Sequence, residues 1–510
     1  MVRMPWWLVR VVDTLSLALV LLAARVWVWG GVRVRVAGVR FSATSALMTL
    51  MWALALVVFR HVSVPRPPAH RQLLAEWRGL VAWARARGLV DAGGAGQPDC
   101  VATLAGSRPY VAALTTGLAL LAMVMTWPLA SHVRDGVADP GDPLLNVWAI
   151  NWVARVLPTA PGQLFDANIF APERGTLAYS ETLVVPGLVA IPLVHLGAGP
   201  LLVYNLLMLA GFVASGVGMG LLVRALTGRA SAGAVAAVAF AFLPYRFDHM
   251  AQLQLQLAPF VPLALWCLHR VLDTGRRRDG VWLGVAVAAQ LYSCMYYGAY
   301  LALWLVAVGG VWLCFRLRVT DAVGVRARLV SLTAAALVAA ALFAPAARAY
   351  IQARAVVGER GADEVDQFSA EWSDYLAAPD SNVLYGWTAE DWGGLERHLF
   401  PGLALVVLAA IGLWPPWSRR QGMYLLGLLF ALDITAGFNG AVYEALWTHI
   451  PTFHALRIPA LSIVMVGASL CVLAGFGVVR LTAVARTPAA EAALAAALCA
   501  LVLLESRAAI

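Results

Sequence analysis

The chain has 510 residues, of which 61% are hydrophobic and only 13% are charged. Long, continuous apolar runs exclude an ordinary soluble domain, and because they do not alternate with polar residues they also exclude a β-barrel. The formal charge is +9 at pH 7, and every basic residue other than histidine is arginine. Since the arginines cluster in short loops between apolar runs, they indicate membrane topology rather than nucleic-acid binding.

The amino-terminal residues contain two apolar runs separated by an alternating segment. Residues 11–29 and 42–59 each approach the length that crosses a bilayer, so residues 1–60 are predicted to form a two-helix membrane hairpin. Valine and arginine alternate over residues 32–36, which predicts a small β-hairpin between the two runs.

A polar segment, residues 61–108, follows and is predicted to lie on the cytoplasmic side. Within it, residues 73–89 are basic and amphipathic. This pattern is typical of a helix that lies on a leaflet rich in anionic lipid. A solvated linker helix is the alternative interpretation.

The first long polar loop after this linker spans residues 131–180. It contains several aspartates and then an amphipathic helical stretch. Asp142 precedes Pro143, which predicts that Asp142 caps a helix whose first residue is the proline. Asn146 comes one turn later and would share a helix face with Asp142. A carboxylate beside a membrane helix in this way suits chemistry on a membrane-held substrate.

The rest of the chain divides into a transmembrane module at 109–350, an acidic outer loop at 351–398 and carboxy-terminal helices at 399–510. Apolar runs of roughly twenty residues predict an all-α polytopic protein with about 13 transmembrane helices. After Arg60 the arginines fall almost wholly on one side, so the amino terminus is predicted to lie inside. The three long polar loops, at 131–180, 351–398 and 438–459, would then share the outer face, where interfacial helices are expected.

Further charged groups lie where apolar runs end. Arg246 and His249 are three residues apart and would share a helix face, and Arg457 immediately precedes an apolar run. Arginine can bind phosphate with two parallel hydrogen bonds, although an arginine that extends to lipid headgroups would look the same in sequence. Glu396 precedes another apolar run and could equally be a helix-start charge. Asp248 and His249 alone are too few ligands to indicate a metal site.

Taken in order, these motifs resemble the GT-C superfamily of membrane glycosyltransferases, and in particular a bacterial branch of it. GT-C enzymes span the membrane many times and take a sugar from a polyprenyl-phosphate carrier on the outer face. The resemblance covers residues 110–479. It rests on GDPLLNVWAINW (141–152), FDANIFAPERGTLAYSE (165–181), LPYRFDHMAQLQLQ (243–256), ERHLFPG (396–402) and FHALRIPA (453–460).

The resemblance implies a role for each of these polar residues. Asp142 matches the acidic residue that GT-C enzymes need in their first outer loop, where it would act as general base in an inverting transfer. Many GT-C enzymes have two paired acids there, whereas this chain has Asp142 and, three residues earlier, Asp139. The expected substrate-binding residues are Asp139, Asn146, Arg246, His249, Glu396 and Arg457.

The resemblance also implies the partners and the location. These are a polyprenyl-phosphate-linked sugar, a glycan, lipid or protein acceptor, and membrane lipid, with the active face of a bacterial cytoplasmic membrane protein directed outward. It leaves a divalent cation open as a cofactor, and the six cysteines form no CxxC pair that would suggest a zinc site. The alternatives are a lipid or solute transporter or flippase without chemistry, and an assembly scaffold.

Overall fold

The computed structural model describes residues 6–29, 32–36, 39–43, 53, 108–317, 322–358, 361–394, 396–415 and 418–509. They fall into two compact units, the first being Met1–Ala95 with Asn439–Ala441 and the second Gly96–Phe438 with Val442–Ile510. The apolar run predicted at 42–59 and the linker predicted at 61–108 lie outside the described residues, apart from residues 42–43, 53 and 108.

Where it is described, the first unit contains one helix and one small sheet. Helix α1 covers Trp6–Trp29, and strands β1 (Val32–Val36) and β2 (Val39–Ala43) pair antiparallel. Val32 lies opposite Ala43 and Val36 opposite Val39, so the chain reverses between them as the alternating sequence predicts.

The second unit is built almost entirely from helices. In chain order they are α2 (Arg108–Met125), α3 (Asp142–Val156), α4 (Val184–His195), α5 (Pro200–Thr227), α6 (Ala230–Ala241), α7 (Pro244–Asp248), α8 (Leu253–Gln256), α9 (Phe260–Thr274), α10 (Arg277–Ser293), α11 (Met295–Leu317), α12 (Ala322–Val357), α13 (Ala362–Gln367), α14 (Thr388–Trp392), α15 (Leu403–Gly412), α16 (Arg419–Thr435), α17 (Tyr443–His449), α18 (Ile463–Thr482) and α19 (Pro488–Ser506).

Helix α18 is the centre of this unit. Sixteen of its 20 residues are buried, and it packs against α5, α6, α15 and α16. Its apolar residues occur around the whole circumference, which is the composition of a helix enclosed by other helices.

Among the described residues, six helices are long and apolar enough to cross a membrane, and three more are apolar but shorter. The chain is therefore a predominantly helical protein of the membrane-associated type, as its composition predicts. The figure of about 13 spans and the GT-C arrangement remain predictions.

Helix α3 is held by one buried face while its first turn stays accessible. Ala149, Ile150 and Val153 are buried against α4 and α5. The indole N–H groups of Trp148 and Trp152 donate to Asn168 Oδ1 at 3.0 Å and to the Leu164 carbonyl at 2.8 Å. These two tryptophans thus tie the following loop to the helix.

Small residues allow α10 and α12 to pack closely. A methyl group on Gly284 would collide with the Ala335 carbonyl oxygen, and one on Gly280 would collide with that of Ser331. Both obstacles are backbone atoms, so neither can move aside without shifting a helix.

We predict that Gly284→Ala lowers the thermal unfolding midpoint in detergent, because overpacking here costs about 1–3 kcal/mol. Gly310→Ala on α11 is the control, since nothing lies within 4 Å of the added methyl. Alanine favours a helix by about 1 kcal/mol over glycine, so the control should melt at the same or a higher temperature. Equal midpoints for both variants would contradict the close α10–α12 packing.

Candidate functional site

The second unit contains a cavity of about 690 Å³, a volume usual for small-molecule sites. Polar side chains from seven separate parts of the chain line it, and apolar side chains, many of them from α10, α11 and α12, line the rest. The polar lining comprises Asp142, Asn146, Tyr179, Ser180, Glu181, Gln252, Gln254, Tyr296, Tyr350, Arg354, Glu396, His454 and Arg457.

Asp142 is exposed, lines the cavity and is oriented by an amide rather than by its own helix. Gly141 is the N-cap of α3 and no side chain caps this end, so the prediction that Asp142 acts as the cap is wrong. Instead, Gln252 Nε2 donates to Asp142 Oδ2 at 3.2 Å. Asn146 Nδ2 donates to Gln254 Oε1 at 3.0 Å, so a second contact joins the same two segments.

His249 is linked to this carboxylate through Gln252, which contacts both residues. Because Asp142 can only accept, the Gln252 amide nitrogen must face it, and the amide oxygen faces His249 Nδ1 at 3.1 Å. His249 is buried and is not part of the cavity lining. The structure therefore places this predicted substrate-binding residue as a support for Gln252.

Arg457 is the predicted phosphate-binding arginine that does line the cavity, together with Glu396. Its side chain is 35% exposed, and Nη1 lies 3.3 Å from Glu364 Oε1. The guanidinium carbon lies 5.5 Å from the Phe368 ring centroid. These contacts hold the charge at the cavity while leaving it partly accessible to a ligand.

Arg246 has a different role from the one its sequence context suggests. Its residue is 1% exposed and is absent from the cavity lining. The guanidinium donates to the carbonyls of Phe240 (3.2 Å) and Ala241 (2.9 Å) and to Gln256 Oε1 (3.2 Å). With its donors used in this way, and the Phe212 ring 4.6 Å from its guanidinium carbon, Arg246 is a buried structural residue rather than a phosphate ligand.

Asp139, another predicted position, also lies outside the cavity. It is exposed, and its Oδ1 accepts from the Gly141 amide at 2.6 Å, which shapes the turn before α3. Asp248 lies outside the cavity too and contacts His398 Nδ1 at 2.9 Å. No group of three or more His, Cys, Asp or Glu side chains that could hold a metal ion occurs in the described part of the chain.

Glu181 is a cavity carboxylate that the sequence analysis did not single out. It precedes α4, and its two oxygens accept from the Met295 amide at 3.1 and 2.9 Å. Burial raises the pKa of this carboxyl to about 7, against the opposite effect of hydrogen bonds from the Met295 and Tyr296 amides and the Cys294 thiol. An isolated acid at the start of an apolar run was the available signal, but its partner lies 114 residues away.

The apolar part of the cavity reaches the surface of the unit. Val306 on α11 is 75% exposed and Ile351 on α12 is 69% exposed, yet both line the cavity. Ala299, Ala302 and other apolar residues of α11 continue the lining inward. The site is therefore a cleft with a polar end and an apolar side opening.

The fold and this cleft together define a helical protein of the membrane-associated type with a carboxylate-bearing site that opens through an apolar rim. A scan against protein-family models finds no match for the chain, and a search of curated proteins finds no significant relative.

The pair formed by His398 and Asp248 should make stability depend on pH. The hydrogen bond and charge of Asp248 raise the pKa of His398 above its ordinary value, although burial opposes this. A histidine whose pKa is higher in the folded than in the unfolded state stabilises the fold. Its contribution to the free energy of unfolding is complete below the unfolded pKa of about 6.5 and disappears as the pH rises through the folded pKa. We predict that thermal midpoints of the wild type fall over this window and that Asp248→Asn flattens the profile.

Asp135→Asn is the control for this measurement. Asp135 contacts His132 at 3.4 Å in a pair whose side chains are 60% and 75% exposed. Solvent screens such a pair, so its removal should leave the pH profile of the wild type unchanged. An unchanged profile in Asp248→Asn would contradict the coupling.

Proposed function

We propose that the protein is a membrane glycosyltransferase that moves a sugar from a polyprenyl-phosphate donor to an acceptor hydroxyl at the outer face of a bacterial cytoplasmic membrane. The observation that carries this proposal is the composition of one cleft. It combines an accessible carboxylate, Asp142, and an accessible guanidinium, Arg457, with an apolar side opening between α11 and α12. The donor contains the matching parts, namely a reacting sugar carbon, a phosphate and a long hydrocarbon chain.

In the proposed reaction, Asp142 takes the proton from the acceptor hydroxyl. The acceptor oxygen forms a bond to the anomeric carbon while the bond from that carbon to the phosphate oxygen breaks. The electron pair of the broken bond leaves with the polyprenyl phosphate, and the anomeric configuration inverts. The amide of Gln252 supports this role because it fixes one carboxylate oxygen and leaves the other for the acceptor.

Arg457 would neutralise the phosphate as it leaves. A positive group that is already positioned stabilises developing charge without reorganising solvent. The Glu364 contact at 3.3 Å restrains the guanidinium, and the 35% exposure of the side chain leaves room for a phosphate oxygen. Arg354 lines the same cavity and supplies a second guanidinium on α12.

A lipid transporter without chemistry is the second candidate. The apolar side opening favours it, because such a transporter would also need a route for lipid entry. A transporter also needs a polar path through its spans, where charged groups are costly. Arg246, the charged residue buried at the end of the span formed by Ala230–Asp248, uses its donors on neighbouring carbonyls and Gln256. This arrangement supports a structural role and gives no support to a transport path.

We predict that Asp142→Asn reduces sugar transfer by about 10²–10⁴-fold, because the amide cannot accept the acceptor proton. The measurement is transfer of radiolabelled sugar from polyprenyl-phosphate donors in proteoliposomes, with folding checked by thermal midpoint. Asp135→Asn, which changes an exposed carboxylate in the same loop outside the cavity, should retain activity. Full activity of Asp142→Asn would remove the assigned base.

We also predict that the apolar part of the cleft binds the hydrocarbon chain of the donor. Ala302→Trp should fill the cleft and remove copurifying polyprenyl phosphate lipids, as detected by native mass spectrometry. Leu337→Trp on α12 is the control, since Leu337 is 65% exposed and outside the cavity lining. A wild-type protein that carries only phospholipid, unchanged by Ala302→Trp, would contradict the prediction.

A further inference from the structure

Glu181 is held in the cavity wall by contacts to the start of α11. Both carboxylate oxygens accept from the Met295 amide at the start of α11, and the Cys294 thiol lies 3.9 Å from Oε1. These contacts define the direction of the side chain. The carboxylate also lines the cavity and is partly exposed to it, so acceptor capacity remains for a ligand.

Three tyrosines line the same cavity as this carboxylate. They are Tyr179, Tyr296 and Tyr350, and Tyr350 Oη donates to the Ser180 carbonyl at 3.4 Å, next to Glu181. The Tyr179 hydroxyl is buried and has no hydrogen-bond partner among the described residues. An unpaired buried hydroxyl is unfavourable, so a ligand that satisfied it would gain affinity.

This combination matches the surface of a sugar. A sugar presents several hydroxyl donors at its edge and apolar C–H groups on its faces. A carboxylate accepts from hydroxyls through strong, charge-assisted hydrogen bonds, and aromatic rings cover apolar faces. The apolar remainder of the cleft offers no comparable set of acceptors.

We propose that Glu181, supported by the adjacent tyrosines, is the residue that binds the hydroxyl groups of the transferred sugar and so selects the donor. The inference rests on the proposed function. It separates three tasks within one cleft: Asp142 takes the proton, Arg457 faces the phosphate, and Glu181 recognises the sugar.

The test compares four lipids that differ only in the group attached to the phosphate. Wild-type protein in nanodiscs is titrated with polyprenyl phosphomannose, phosphoglucose and phosphoarabinose, each against polyprenyl methyl phosphate, which has the same phosphodiester charge but no hydroxyls. Wild type should bind one sugar lipid at least tenfold more tightly than the methyl lipid. Glu181→Gln should lose about tenfold or more for that sugar lipid, since hydrogen bonds to charged groups contribute about 1.5–3 kcal/mol. It should leave the methyl lipid unchanged.

Glu173→Gln is the matched control, because Glu173 is exposed in the same loop and outside the cavity lining. It should bind all lipids as the wild type does. If Glu181→Gln does not give a monodisperse protein, Glu181→Asp keeps the charge but withdraws the carboxylate by one methylene. That variant should lose sugar preference in the same way.

The outcomes separate this inference from the proposed function. A wild type that binds none of the lipids overturns both. Equal wild-type affinity for sugar and methyl lipids, or an equal loss for both in Glu181→Gln, overturns the sugar site while the lipid-binding function stands. In transfer assays Glu181→Gln should raise KM for the donor and change kcat little. A loss confined to kcat would instead place Glu181 in the chemical step and overturn its role in recognition.

Discussion

The site depends on one buried clasp between Arg246 and Gln256. Arg246 Nε donates to Gln256 Oε1, and Gln256 Nε2 donates back to the carbonyls of Arg246 and His249 at 2.9 and 2.8 Å. Both residues are at most 1% exposed. A buried charge is tolerated only when its donors are satisfied, so the clasp closes the intervening loop in one conformation. That loop presents Gln252, and through it the proposed catalytic carboxylate is oriented.

Two of the three cavity carboxyls, those of Asp142 and Glu181, lie in contrasting environments. Asp142 is exposed and receives one amide hydrogen bond, whereas Glu181 is enclosed and receives backbone N–H groups at the start of α11. An incoming hydroxyl can reach a side chain in the first setting. One in the second is better suited to holding a ligand in a single orientation.

The sequence reveals local elements of this structure better than it reveals contacts between distant segments. Apolar runs and the turn at Asp142-Pro143 predicted the helical class and the start of α3, because both depend on neighbours in the chain. Arg457 was singled out as a charge beside an apolar run and Asn146 because it lies one helical turn after Asp142, and both line the cavity. Arg246 looked the same in sequence, yet carbonyl groups satisfy it in the fold. Glu181 was missed because its position in the cavity depends on a contact with α11, more than 110 residues along the chain.

The exposed rim formed by Val306 and Ile351 bears on how the proposed donor would reach the cleft. Under the proposed function these side chains face acyl chains, and the long-chain donor reaches the cleft by lateral diffusion without entering water. Encounter frequency then follows the mole fraction of the donor in the lipid phase rather than its bulk concentration. Saturation of such a protein is a property of the two-dimensional mixture around it, and added inert lipid dilutes the donor as effectively as added water dilutes a soluble substrate.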